Sequence, residues 1–526
     1  MTAGLFLWQN TIVHCSAHAQ ICAIFLRFET WRIWLYMQPL ESNEKVSQSV
    51  LSPDSRIYPL IVDLDHTLIL TDSLYEHLAV GLFTNPSGLA RAVPLLQQGR
   101  AAFKAGLSSR IAFSAEHLPL REDLVQWLRD EATKGREIHL CSAANRTIVE
   151  AIERRLGLFH SAVGSDVINL KGAAKADYLD RTFPDGFVYA GDSAADLAVW
   201  AKARGIVLAG VAPGVASEAR RLGKPIEAEF RSKPLGIRPL LKALRVHHWS
   251  KNALIFVPLI LSHGWTDPSA ILHVLLGLCC LLMVTSATYL MNDIADLEAD
   301  RRHWSKKHRA LASGLMSIRA GFTMAGCALV LAFIGALLLS HAFALALASY
   351  LALTLAYSFG LKRIPLLDTL VIGILFTTRL VMGIALLGQP LAEWLLTFSV
   401  FFFVSLAIAK RHTEIIRAGS KVSHSLERRG YRVEDEPLTL ALGVASSVAS
   451  LVIMVLFIAQ EAQRGVVYHH PKMLWGIPVI LSIWVGRIWL LAHRGQMNDD
   501  PVSFALRDKS SLLIGAATAV FFFLAL

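Results

Sequence analysis

The stretch AILHVLLGLCCLLMVTSATYLMNDIADLEADRRHWSKKHRALASG (residues 270–314) sets how the rest of the chain is read. Residues 270–291 hold no Asp, Glu, Lys or Arg, enough apolar chain to cross about 30 Å of hydrocarbon. The run passes directly into polar sequence, which predicts a helix continuing beyond the bilayer. On it Asp293, Asp296 and Asp300 fall at i, i+3 and i+7 and share one face. Three carboxylates at a bundle mouth repel one another unless a cation lies between them, and Mg²⁺ bridging to a diphosphate is the natural occupant. Arg301, Arg302, Lys306, Lys307, His308 and Arg309 would then reach phosphate oxygens. The plainer alternative is a solvated helix whose acids pair with these neighbouring bases.

Around this stretch the chain divides in two. With 54% hydrophobic residues, 17% charged residues and a mean hydropathy of +0.46, 526 residues are too apolar for a soluble protein. Residues 51–250 nonetheless have ordinary globular composition, whereas apolar runs dominate after Trp249, so one soluble and one embedded domain are expected. Nine candidate spans lie near 250–265, 270–291, 316–339, 342–360, 367–388, 391–409, 438–460, 472–492 and 511–526, the first and last being short. The loops after spans two, four, six and eight carry 5, 2, 7 and 3 Lys plus Arg, against Arg464 and Lys472 in all the opposite loops. This asymmetry puts the polar loops and the soluble domain in the cytoplasm, at a bacterial-type inner membrane. It also explains the net charge of +10 without a nucleic-acid partner. Cysteines at 15, 22, 141, 279, 280 and 327 include no CxxC pair, which argues against zinc and disulfides. Residues 1–55 read as an extension, and the polar start at Met37 marks residues 1–36 as a mis-assigned beginning.

In the soluble half, IYPLIVDLDHTL (57–68) opens as a continuous apolar run, the mark of a strand buried on both faces, and closes on Asp63, Asp65 and Thr67. Further apolar strands end at REIHLCS with Ser142 and at FVYAGDSAAD with Asp192 and Asp196. Polar groups at strand ends gather in the ligand crevice of an α/β fold. The set suits phosphoryl transfer. Asp63 attacks, Asp65 shuttles a proton, Asp192 alone or with Asp196 completes a Mg²⁺ site, and Ser142, Thr67 and a lysine, Lys175 or Lys171, bind the phosphoryl oxygens.

DLDHT, the Ser142 strand, KADYL and GDSAAD, in that order, resemble the four motifs of the haloacid dehalogenase superfamily over residues 56–232. The resemblance implies a Rossmannoid domain with a small helical cap at about 73–118, makes Asp63 and Asp65 metal ligands as well, and favours Lys175. His66 departs from it, standing where the superfamily carries Gly. After a linker at 233–249, residues 250–526 resemble the UbiA superfamily of intramembrane prenyltransferases through NDIADLEAD, implying an all-α nine-helix bundle. LRVHHWSKNALIFVPL, DRRHWSKKHRALASG, YSFGLKRIPLLD, AKRHTE and RRGY are most similar to its polyprenyl-phosphate phosphoribosyltransferases. In that superfamily a second DxxxD motif is common; here Ile364 precedes Asp368. The departure suggests that Lys362 and Arg363 handle a phosphorylated co-substrate. Lys251, Asn252, Asn292, Tyr357, Asp368, Lys410 and Arg411 stand as further substrate contacts, with anchoring as the alternative for Lys251, Asn252, Lys410 and Arg411. Arg379, a charge in mid-span, reads first as a packed structural residue.

Together the resemblances imply a bifunctional membrane enzyme. The helical half would move 5-phosphoribose from phosphoribosyl pyrophosphate to a polyprenyl phosphate, and the soluble half would remove the 5-phosphate. The alternatives are a conventional prenyltransferase acting on an aromatic acceptor and a non-catalytic soluble scaffold.

Overall fold

The computed structural model describes residues 58–165, 170–420, 430–462, 468–497 and 501–526 apart from 506. The N-terminal extension with Met37, and Arg428, Arg429 and Arg464, lie outside the described residues. Leu51–Leu526 form one compact unit.

The apolar run at Leu60–Val62 forms β1, fully buried, with Leu60 and Val62 in one core layer and Ile61 in the opposite one. Around it lie β2 (Ile138–Asn145), β3 (Ser161–Ser165), β4 (Val188–Gly191), β5 (Gly205–Ala209) and β6 (Ile226–Phe230), in the order β3-β2-β1-β4-β5-β6. Every pairing is parallel. Because β1 is flanked by β2 and β4, the strand order reverses beside it, and the crevice for a ligand opens at the carboxyl ends there. Between β1 and the next sheet crossover three helices form a cap: α1 (Ser73–Thr84), α2 (Pro86–Ala92) and α3 (Arg100–Arg110). Asp72 starts α1 by accepting from the amides of Leu74 and Tyr75.

The helical half contains α4 (Pro268–Ala295), α5 (Leu297–Arg302), α6 (Ile318–Leu339), α7 (His341–Phe359), α8 (Leu367–Leu386), α9 (Glu393–Ser420), α10 (Glu436–Phe457), α11 (Gly476–His493) and α12 (Lys509–Ala525). Among the described residues seven helices are long and apolar enough to cross a membrane, against the nine expected. The chain at 250–265 is divided among 3₁₀ turns at Val246–Phe256, a short helix at Val257–Leu261 and another turn at Gly264–Thr266. It buries the polar Asn252 and is too short to cover about 30 Å even as an ideal helix. The last, α12, has 17 residues.

The helix expected to continue past the span through Asp293, Asp296 and Asp300 is interrupted at the second of them. Asp296 caps α4 at φ −96°, ψ 10°, and α5 starts afresh. Asp competes for local backbone hydrogen bonds and favours helix ends. Beyond the break, the loop before α6 meets the cap. Tyr75, Ala79 and Phe83 of α1 pack with Leu290, Ile294, Met316 and Ile318, and Phe83 stacks on Phe359 at 5.6 Å. Gly314, at φ +75°, lies so close that a Cβ there would stand 2.5 Å from Leu70 Cβ and 2.8 Å from its carbonyl oxygen.

Candidate functional site

At the strand ends of the sheet, a cavity of about 420 Å³ is lined by Asp63, Asp65, Ser142, Lys175, Asp192 and Asp196 together with cap residues. Asp63 leaves the end of β1 and meets Lys175 Nζ at 3.0 Å. That lysine is buried and also donates to Tyr189 Oη at 2.8 Å. Lys171, the rival from sequence, is exposed on the cavity wall. Ser142 is buried, and its hydroxyl accepts from Ala144 N. Thr67, expected to contact phosphate, is fully buried, is absent from the residues lining the cavity, and its Oγ1 has no hydrogen-bond partner among the described residues. The chain turns inward directly after the cavity residue His66.

The carboxylates sort by environment. Asp65 accepts from both the amide and the hydroxyl of Ser73, yet desolvation, with Asp72 beside it, pushes its pKa up to about 7. Desolvation and the neighbouring Asp196 push Asp192 up to about 8. Burial draws the Lys175 ammonium down, but Asp63 and Asp196 outweigh it and hold it above the ordinary lysine value. Ligating oxygens of Asp63, Asp192 and Asp196 lie within 4.8 Å of one another, a hard-donor set that suits Mg²⁺. Asp196 is largely spent, however: it accepts from Asp192 N, Ser193 N, Ser193 Oγ and Tyr189 Oη. Asp63 and Asp192 are the freer ligands.

The rim of the bundle departs more from expectation. Asp293 and Asp300 are buried, but Asp296 is exposed. Arg309 Nη1 bridges the two buried acids, at 3.1 Å from Asp293 Oδ1 and 2.5 Å from Asp300 Oδ2, and Arg245 adds a contact to Asp293 at 2.7 Å. Burial raises the Asp300 carboxyl above its ordinary value against the pull of Arg309. Asp296 stands at the helix break, and a guanidinium sits between the two buried acids. Among the described residues the clusters able to hold a metal are Asp63, Asp192 and Asp196, and His412, Glu436 and His493.

Several expected phosphate contacts have other partners. Arg301 is committed to Glu76 of the cap, at 2.5 Å and 3.0 Å, and Arg302 pairs with Glu298. Lys307 is exposed. Asn292 donates to Ser358 Oγ. Asn252 accepts from Arg379 Nε at 2.9 Å; that guanidinium also donates to Leu375 O and Tyr350 Oη, so the mid-span charge is satisfied inside the bundle. Asp368, fully buried, accepts from Arg411 Nε at 2.7 Å and Tyr431 Oη at 2.6 Å, and Arg411 also holds Glu414. Lys251, Tyr357, Lys362 and Lys410 are half-buried and Arg363 is exposed. Sequence reasoning missed Glu76, Arg245, Tyr431 and Tyr189, because each works through a partner 7 to 225 residues away. Arg245, Tyr431 and Tyr189 stood inside quoted stretches without being singled out, and Glu76 lay outside them.

Residues 253–508 match the model of the UbiA prenyltransferase family. The chain is 46% identical over 501 residues to an uncharacterized protein, y4nM, of Sinorhizobium fredii, covering 94% of this chain and 96% of that protein. It is 32% identical to nodulation protein NoeC of Azorhizobium caulinodans over 53% of this chain and 92% of that protein. With the decaprenyl-phosphate phosphoribosyltransferase of Mycolicibacterium smegmatis it shares 33% identity over 36% of this chain, spanning 61% of that enzyme.

Proposed function

Because the C-terminal half, over residues 253–508, belongs to the UbiA prenyltransferase family, we propose that this helical half transfers 5-phosphoribose from phosphoribosyl pyrophosphate to a polyprenyl phosphate. The sheet half, a haloacid dehalogenase-type phosphatase, then removes the 5-phosphate. The identity to a decaprenyl-phosphate phosphoribosyltransferase supports the first step. So does the commitment of Asp368 to Arg411 and Tyr431, which leaves Lys362 and Arg363 as the polar groups of that loop. In the transfer, an oxygen of the lipid phosphate attacks the anomeric carbon, the bond from that carbon to the diphosphate oxygen breaks, and diphosphate departs. Arg309 and Arg245, both paired with Asp293 at the rim, would stabilise the departing negative charge. A divalent ion would reach Asp293 and Asp300 only by displacing the Arg309 guanidinium. Both reactions would face the cytoplasm at the inner membrane.

The observation that carries the second step is the convergence of Asp63, Asp65, Ser142, Lys175 and Asp192 on one cavity whose cap is docked against the bundle rim. Asp63 attacks the phosphorus of the monoester, and the ester P–O bond breaks. Asp65, protonated near neutrality, gives its proton to the leaving alkoxide. Water then attacks the aspartyl phosphate, returning a proton to Asp65 and freeing inorganic phosphate. Lys175 and Ser142 hold the phosphoryl oxygens. Mg²⁺ on Asp63 and Asp192 would offset their charge.

The test supplies membranes with labelled phosphoribosyl pyrophosphate and polyprenyl phosphate. The native chain should yield polyprenyl-phosphoryl-ribose, while Asp63→Asn should stop at the phosphorylated lipid. Lipid labelling that needs isoprenyl diphosphate and an aromatic acid instead would replace the first step, and no accumulation in Asp63→Asn would remove the second.

A further inference from the structure

The cavity at the strand ends is not built from the sheet and cap alone. Arg319, in the first turn of the membrane helix α6, forms part of its wall. Its position is set by the seam between the halves: Ser317 caps α6 by accepting from Ala320 N, and Ile318 beside it is buried against α1 residues. Gly314, three residues before that cap, lies against the backbone of Leu70. An exposed cationic residue of the bundle therefore lines the crevice of the sheet domain.

Charge accounting says what it is for. The acids Asp63, Asp65 and Asp192 occupy the floor, and Lys175 is already neutralised there by Asp63. Asp72 and Asp196 line the cavity as well, so Lys175 and one divalent ion offset three of its five carboxylate charges. The wall holds three more cations, Lys104, Lys171 and Arg319. Lys104 donates one proton to Ala143 O, and neither Lys171 nor Arg319 has a carboxylate partner among the described residues. These three are the groups of the wall able to meet anionic oxygens beyond the monoester at Asp63. A cavity of about 420 Å³ also exceeds what a lone phosphoryl group fills and is in the range of small-molecule sites.

We propose that Arg319 is a specificity-determining residue of the phosphatase cavity, and that the substrate is a lipid-linked sugar carrying two phosphates. The monoester meets Asp63, and the phosphodiester that joins sugar to lipid is held by Arg319 with Lys104 and Lys171. This rests on the phosphatase reading above and narrows it: the cavity selects for the diester that the bundle makes. Arg319 enters from the side where the lipid chain must lie, and guanidinium presents the fork geometry that phosphate oxygens favour.

The experiment uses the full chain in detergent with Mg²⁺ and two water-soluble probes: ribose 5-phosphate, and its anomeric octyl phosphodiester, which adds the second phosphate. The native protein should prefer the diester probe in kcat/KM. Arg319→Gln should cut that preference by about tenfold, the scale of one charge-assisted contact, mostly through KM, and Arg319→Lys should restore part of it. A preference unchanged in Arg319→Gln, or absent from the native protein while ribose 5-phosphate is cleaved, overturns the role of Arg319 and leaves the phosphatase standing. Cleavage of neither probe overturns the phosphatase reading and this inference with it.

Discussion

His66 shows how a single residue can depart from a motif and keep its shape. Its φ of +57° is left-handed backbone, which glycine adopts freely and which histidine tolerates better than most residues. His66→Gly is therefore expected to keep stability within about 1 kcal/mol, whereas His66→Val should lose about 1–2 kcal/mol. Thermal unfolding of the full chain measures both. Asp65 gives a pH signature. Its carboxyl is held up to about 7 by desolvation, so the proton needed by the leaving group is present below that pH and lost as pH rises through it. Phosphate release should bend downward on the alkaline side of about 7. Asp65→Asn should lose about 10²–10⁴-fold and flatten that limb, as a pH series of single turnovers would register. Arg379 was legible from sequence as a packed charge, since the cost of a bare guanidinium in hydrocarbon forces it to find oxygens.

At the scale of elements, the sheet was readable and the helix ends were not. An unbroken apolar run such as Leu60–Val62 has few fates other than a doubly covered strand, and Asp63, Ser142 and Asp192 follow from it because strand ends share an edge. The face shared by Asp293, Asp296 and Asp300 rested on helix continuing through Asp296, which periodicity assumes and cannot test. Nor could spacing say that Arg301 would serve the cap. Its pair with Glu76 is buried on both sides and supported by Thr71 Oγ1 at 2.8 Å. Removing one partner of such a pair costs about 3–5 kcal/mol. Arg301→Ala should thus loosen α1 from the rim, seen as faster hydrogen exchange over residues 73–84. The double exchange Glu76→Arg with Arg301→Glu should recover part of the protection.

Across the whole molecule, composition separated a soluble half from an embedded one, but it carried no sign of how they meet. The seam is made of contacts from Tyr75, Ala79 and Phe83, the Glu76–Arg301 pair and one glycine, spread from residue 75 to residue 314, and no local pattern announces such a match. Its tightness has a consequence for how the protein can be taken apart. At Gly314 the two halves are separated by the width of a hydrogen atom, so even a methyl group there acts as a wedge driven against Leu70. A chain so altered would hold every acid, base and helix it had before, yet its two workshops would no longer share a wall.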